Sequence, residues 1–133
     1  MQLKAKILLV DDDLDFLEMH KAVLVRNGYN VLTASSSQEG LERVRTDLPD
    51  LIILDLMMEK HDSGFSFSKQ VKKDPLFKRI PILMVTSVAE ATGYQFSLDK
   101  DGYWMKAVDF LDKPVMPDVL IGRVEKLLKK KKE

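Results

Sequence analysis

Five short runs of mostly apolar residues, several of them stopping at a carboxylate, constrain this chain more than any other feature. Residues 5–10 read AKILLV and end at Asp11, Asp12 and Asp13. Residues 29–34 (YNVLTA), 50–55 (DLIILD), 80–86 (IPILMVT) and 107–111 (AVDFL) are of similar length. A strand with one wet face alternates apolar and polar side chains. Runs that do not alternate predict strands buried on both faces, hence a parallel sheet covered by helices on either side. The runs at 7–10 and 51–54 are the most apolar and are expected to lie deepest.

Segments of helical spacing separate these runs. Leu14, Leu17, Lys21, Leu24 and Val25 mark one face of a first helix, stopped by Asn27-Gly28. Ser35, Ser36 and Ser37 offer an N-cap for a second helix, which turns Leu41 and Val44 inward and ends before Pro49. A third begins near Ser63-Gly64, carries Phe65, Phe67 and Val71, and ends before Pro75. Residues 89–105 hold two glycines and four aromatics with poor periodicity, and read as a short or broken fourth helix with a longer loop. A fifth helix starts at about Met116 and aligns Leu120, Val124, Leu127 and Leu128. The whole predicts a doubly wound α/β domain with a five-stranded parallel sheet and right-handed crossovers.

Composition narrows the function classes. At 133 residues a single domain with a true core is expected. Hydrophobic residues at 45% exclude disorder over most of the length. Lys+Arg and Asp+Glu number 21 each, so no net charge draws the molecule to nucleic acid, and no direct nucleic-acid partner is expected. The absence of cysteine excludes disulfides, thiol nucleophiles and thiolate metal sites. No apolar run approaches the ~20 residues that span a bilayer, and the start does not read as a signal peptide. Neither membrane insertion nor export is expected, and the location inferred is the cytoplasm. His20 and His61 stand far from any ligand spacing and are expected at the surface.

In open α/β sheets the reactive crevice lies beyond the carboxyl ends of the strands. Those ends carry Asp11 and Asp12 after the first strand and Asp55 after the third. Thr86 ends the fourth, and Lys113-Pro114 follows the fifth. Like-charged carboxylates brought together repel, at about 4 kcal/mol per pair 4 Å apart in an effective dielectric of 20. Protonating one or binding a divalent cation relieves this. Oxygen ligands with no His or Cys suit a hard ion such as Mg²⁺. A cation, a lysine and a hydroxyl beside an exposed aspartate suit phosphoryl transfer, with the aspartate as nucleophile.

The segments ILLVDDD, PDLIILDLMM, ILMVTS and DFLDKP, in this order and spacing, resemble the receiver domain of two-component response regulators. The likeness runs from about Lys4 to Leu128. It implies a flavodoxin-like (βα)5 fold with strand order 2-1-3-4-5, a receiver domain over residues 1–128 and a basic tail at 129–133. Asp55 resembles the phosphoacceptor, supplied by a sensor histidine kinase or a phosphotransfer protein. Asp11 and Asp12 resemble the pair that holds Mg²⁺ together with Asp55 and the backbone carbonyl of Met57. Thr86 resembles the hydroxyl that bonds the phosphoryl oxygen, Lys113 the lysine that pairs with Asp55, and Phe110 the aromatic switch. Output is expected through a protein partner or a dimer on the face of the fourth helix and fifth strand.

The chain departs from the family pattern in three places. Glu59 and Ser63 stand where a proline and a glycine are usual, as though one residue were inserted before Gly64; Glu59 thereby adds a carboxylate near the site. The stretch between Thr86 and Lys113 is long, with Lys106-Ala107 in place of a pair of small residues, and offers Tyr94, Phe96, Tyr103 and Trp104 as a recognition patch. Met57 and Val88 occupy the positions beside the path of the hydrolytic water. Being apolar, they predict slow loss of phosphate.

The resulting expectation is a phosphorylatable, Mg²⁺-dependent signalling switch, not a turnover enzyme. Two alternatives stand beside it. One is the receiver portion of a larger regulator or hybrid kinase. The other is a phosphohydrolase forming an aspartyl phosphate, which normally needs an acid/base aspartate at the position held by Met57.

Overall fold

Each of the five apolar runs becomes a strand in the computed structural model, which describes residues 5–55, 63–86 and 108–132. In chain order the elements are β1 (Lys6–Val10), α1 (Leu14–Arg26), β2 (Asn30–Ala34), α2 (Ser37–Asp47), β3 (Leu51–Asp55), α3 (Ser63–Lys73), β4 (Ile82–Thr86), β5 (Val108–Asp112) and α4 (Pro117–Lys132). The helix expected within residues 89–105 lies outside the described residues, so α4 is the fifth helix of the sequence reading. The strands pair in parallel in the order β2-β1-β3-β4-β5, the flavodoxin-like order that the resemblance implied.

The unbroken apolar strands have a simple cause: alternate residues feed two different cores. Leu8, Val10, Ile52 and Leu54 pack with Val44 of α2 and with Phe67 and Val71 of α3. Ile7, Leu9, Leu51 and Ile53 pack with Leu17 and Leu24 of α1 and with Leu120 and Val124 of α4. The sheet is thus covered by α2 and α3 on one side and by α1 and α4 on the other. β3, between β1 and β4, is buried along its whole length.

Helix ends follow the local chemistry. Asp13 caps α1, its carboxylate accepting from the backbone amides of Asp15 and Phe16. Gly28 adopts a left-handed φ of 92°, which lets the chain reverse as its amide donates to the Val25 carbonyl at 2.9 Å. Ser36 caps α2 through Glu39 N–H, and the Glu39 carboxylate accepts from Ser35 N–H at 3.1 Å, a reciprocal pair that satisfies two otherwise unpaired donors. α4 continues to Lys132, so its helical turns take in all four of the terminal lysines.

The inner face of α1 differs from the expected one. Leu17, His20 and Leu24 are buried, whereas Leu14 and Val25 are exposed and Lys21 faces water. The stripe 17-20-24 follows i+3 and i+4 steps and is rotated one position from the predicted face. His20 is therefore a core residue, not a surface one. Its burial is satisfied because Nδ1 lies 2.8 Å from the Phe16 carbonyl oxygen and donates to it.

Candidate functional site

The parallel arrangement brings the carboxyl ends of β1, β3, β4 and β5 to one edge, and the chemistry-bearing residues follow them there. Asp11 leaves β1 with its amide bonded to the Ala34 carbonyl at 3.1 Å, which fixes the chain at the sheet edge. Its side chain is fully buried, and Oδ1 accepts the Asp13 backbone N–H at 2.9 Å. Asp12 is exposed, and Asp55, the last residue of β3, is buried. One carboxylate oxygen from each of Asp11, Asp12 and Asp55 falls within a set whose members all lie within 4.8 Å of one another. Lys113, immediately after β5, places Nζ 3.3 Å from Asp55 Oδ1.

Thr86 ends β4 one residue beyond Val85, the register partner of Asp55, so its backbone reaches the same edge. Its side chain lies outside the described residues. Phe110 lies on β5, half-buried and packed against the core shared with α2 and α3. The Met57 carbonyl, Glu59, His61, Val88, Tyr94, Phe96, Tyr103 and Trp104 lie outside the described residues.

Electrostatics single out Asp11. Burial raises its carboxyl pKa from 3.8 to about 7; the Asp13 N–H and Lys113 lower it, while Asp55 and Asp12 add to the rise. Asp11 Oδ2 is buried and has no hydrogen-bond partner among the described residues. A buried acceptor without a donor is costly, and a cation satisfies it. Three carboxylates with one such oxygen therefore make a donor set suited to a hard divalent ion.

Two residues of α1 bear on this site beyond the sequence expectation, which placed His20 at the surface and gave Phe16 no role. Phe16, in the first turn of α1, lies under the Lys113 ammonium with Nζ 5.5 Å from the ring centroid. His20 stacks on that ring with centroids 4.0 Å apart. Their i, i+4 spacing on α1 was the available signal; the contact with Lys113 joins distant parts of the chain and left no local trace.

A doubly wound sheet of this order with its acidic cluster at the carboxyl edge is the architecture of a receiver domain. The chain belongs to the response regulator receiver domain family, which matches residues 7–125. It is 36% identical over 125 residues to the alkaline phosphatase synthesis transcriptional regulatory protein PhoP of Bacillus subtilis, covering 94% of this chain and 49% of that protein. It is 34% identical to the response regulator PleD of Caulobacter vibrioides, covering 94% of this chain and 26% of that one. The chain thus spans about half the length of the first curated relative and about a quarter of the second. Among solved structures, the chemotaxis response regulator CheY4 of Vibrio cholerae superposes with a TM-score of 0.79 at 32% identity, covering 92% of this chain and 98% of that one. Among the described residues no helix is long and apolar enough to cross a membrane.

Proposed function

We propose that the domain is a phosphoacceptor switch in which Asp55 receives a phosphoryl group from a phosphohistidine on a sensor kinase or phosphotransfer protein. An Asp55 carboxylate oxygen attacks phosphorus, the P–N bond breaks, and the histidine nitrogen keeps the electron pair and takes up a proton. Asp11, Asp12, Asp55 and the Met57 carbonyl hold Mg²⁺, which when bound offsets the negative charge gathered on the phosphoryl oxygens. Lys113, following β5 at the same sheet edge, supplies a second positive charge. The Thr86 hydroxyl bonds a phosphoryl oxygen of the product. Phe110 then turns inward and changes the face around β5 and the preceding segment, where a protein partner or a second copy docks. The domain so described covers residues 1–128, acts in the cytoplasm and performs no turnover chemistry of its own.

The observation that carries this reading is the convergence of three carboxylates within 4.8 Å and a lysine 3.3 Å from one of them, delivered by three separate strand ends. Packing alone gives no reason to gather these charges. The greater length of the curated relatives supports a companion reading, in which the domain is the receiver portion of a longer regulator.

Incubation with acetyl phosphate and Mg²⁺, followed by intact mass measurement, tests the switch. One phosphate adduct is expected, absent with chelator and absent in Asp55→Asn. Steady phosphate release without adduct indicates a hydrolase, and no adduct in the wild-type protein overturns the proposal.

A further inference from the structure

The Lys113 ammonium has two neighbours. Asp55 Oδ1 is 3.3 Å from Nζ, and Nζ lies over the Phe16 ring, 5.5 Å from its centroid. That ring is itself fixed. His20 stacks on it at 4.0 Å between centroids and 31° between planes. His20 is 5% exposed, and its Nδ1–H donates to the Phe16 carbonyl at 2.8 Å, so ring and imidazole are tied to one helical turn. The Phe16 amide in turn donates to Asp13 Oδ1 at 3.3 Å, which anchors the platform to the loop carrying Asp11 and Asp12.

We infer that Phe16 is a positioning residue for Lys113, a neutral platform that keeps the ammonium aimed at the acceptor carboxylate. This rests on the proposed phosphoacceptor role of Asp55. A lysine has a long flexible stem, and the Lys113 side chain is 35% exposed, a setting in which one ion pair alone holds a side chain weakly. A second carboxylate would hold it more firmly but would add a fourth negative charge where a phosphoryl group must enter. An aromatic face attracts the cation through its quadrupole and adds no charge. It also leaves the ammonium hydrogens free for oxygen acceptors. His20 acts one step further back, holding the ring in place.

The test compares wild type, Phe16→Leu, Phe16→Tyr, Lys113→Gln and the Phe16→Leu/Lys113→Gln double variant. The rate of adduct formation from acetyl phosphate in Mg²⁺ is followed by intact mass, with melting midpoints as a check on folding. Phe16→Leu is expected to slow the reaction roughly two- to fivefold, the range a partly exposed cation–π contact supplies. Phe16→Tyr, which keeps the ring, is expected to restore it, and Phe16→Leu is expected to add nothing once Lys113 is Gln. An equal slowing by Phe16→Leu in both backgrounds, or a Tyr variant as slow as the Leu one, overturns the inference and leaves Phe16 a packing residue. The proton shifts of the Lys113 ε-methylene read the platform without any chemistry. They are expected upfield in wild type and near ordinary lysine values in Phe16→Leu. Should the wild type form no adduct, the phosphoacceptor reading fails, while these shifts still report whether the ring holds the lysine; ordinary values in wild type refute it.

Discussion

Asp11 is the residue on which the energetics of the site turn. Its carboxyl ionises near pH 3.8 when solvated and at about 7 when buried in the fold. Between these values the folded state holds more protons than the unfolded one, so stability falls as pH rises from about 4 to 7 and levels off above. That displacement corresponds to a contribution on the order of 4 kcal/mol. A divalent ion reverses the trend because it must displace that proton. Apparent Mg²⁺ affinity is therefore expected to rise roughly tenfold between pH 6 and pH 8, as the ionised fraction of Asp11 grows from about a tenth to about nine-tenths. Melting curves with and without Mg²⁺ at the two pH values check this, and a Mg²⁺ effect that does not depend on pH contradicts it. Sequence could locate Asp11 but not its burial, since an Asp-Asp-Asp run does not say which carboxylate is drawn inside. The division is set by the Asp13 amide, which ties Asp11 down, while the Asp13 side chain caps α1.

At the level of elements, α2 lies so close to the sheet and α3 that only glycine fits at position 40. A Cβ there would stand 2.8 Å from the Phe67 ring and 3.1 Å from a Val10 methyl. Phe67 is fully buried and has little room to retreat. Gly40→Ala gains up to about 1 kcal/mol of helix propensity but meets an overpacking cost of about 1–3 kcal/mol. A net destabilisation of about 1 kcal/mol is expected, seen as a melting midpoint lower by roughly 3–5 °C. A higher midpoint would show that the ring yields. Element boundaries were legible where chemistry marks them sharply. Ser36, Gly28 and Pro49 punctuate the chain, and the strands announce themselves by their unbroken apolar runs. The face of α1 was misread because Lys21 was counted into the stripe and His20 into the surface by residue type. The i+3 and i+4 steps from Leu17 to His20 to Leu24 decide the matter, and a single carbonyl acceptor is enough to make the histidine a core residue.

For the whole molecule, the parallel sheet acts as a device for convergence. Residues far apart in the chain meet because successive strands end at the same edge, which is why the site was visible as a list of strand ends before any contact was known. Contacts that cross between elements without a motif, such as Phe16 with Lys113, were not. Met57 and Val88 stand two residues past Asp55 and Thr86 in the sequence, and because both are apolar the resemblance implies that the phosphorylated domain decays slowly in Mg²⁺ buffer; a half-life of seconds contradicts that expectation. The account as a whole depends on Asp11, Asp12 and Asp55 sharing one ion at that edge. Calorimetric titration with Mg²⁺ at pH 8 measures this directly. One ion bound per chain, with binding abolished by Asp11→Asn and by Asp55→Asn in proteins that still melt cooperatively, is the predicted result. No saturable binding, or binding that survives both substitutions, would contradict it.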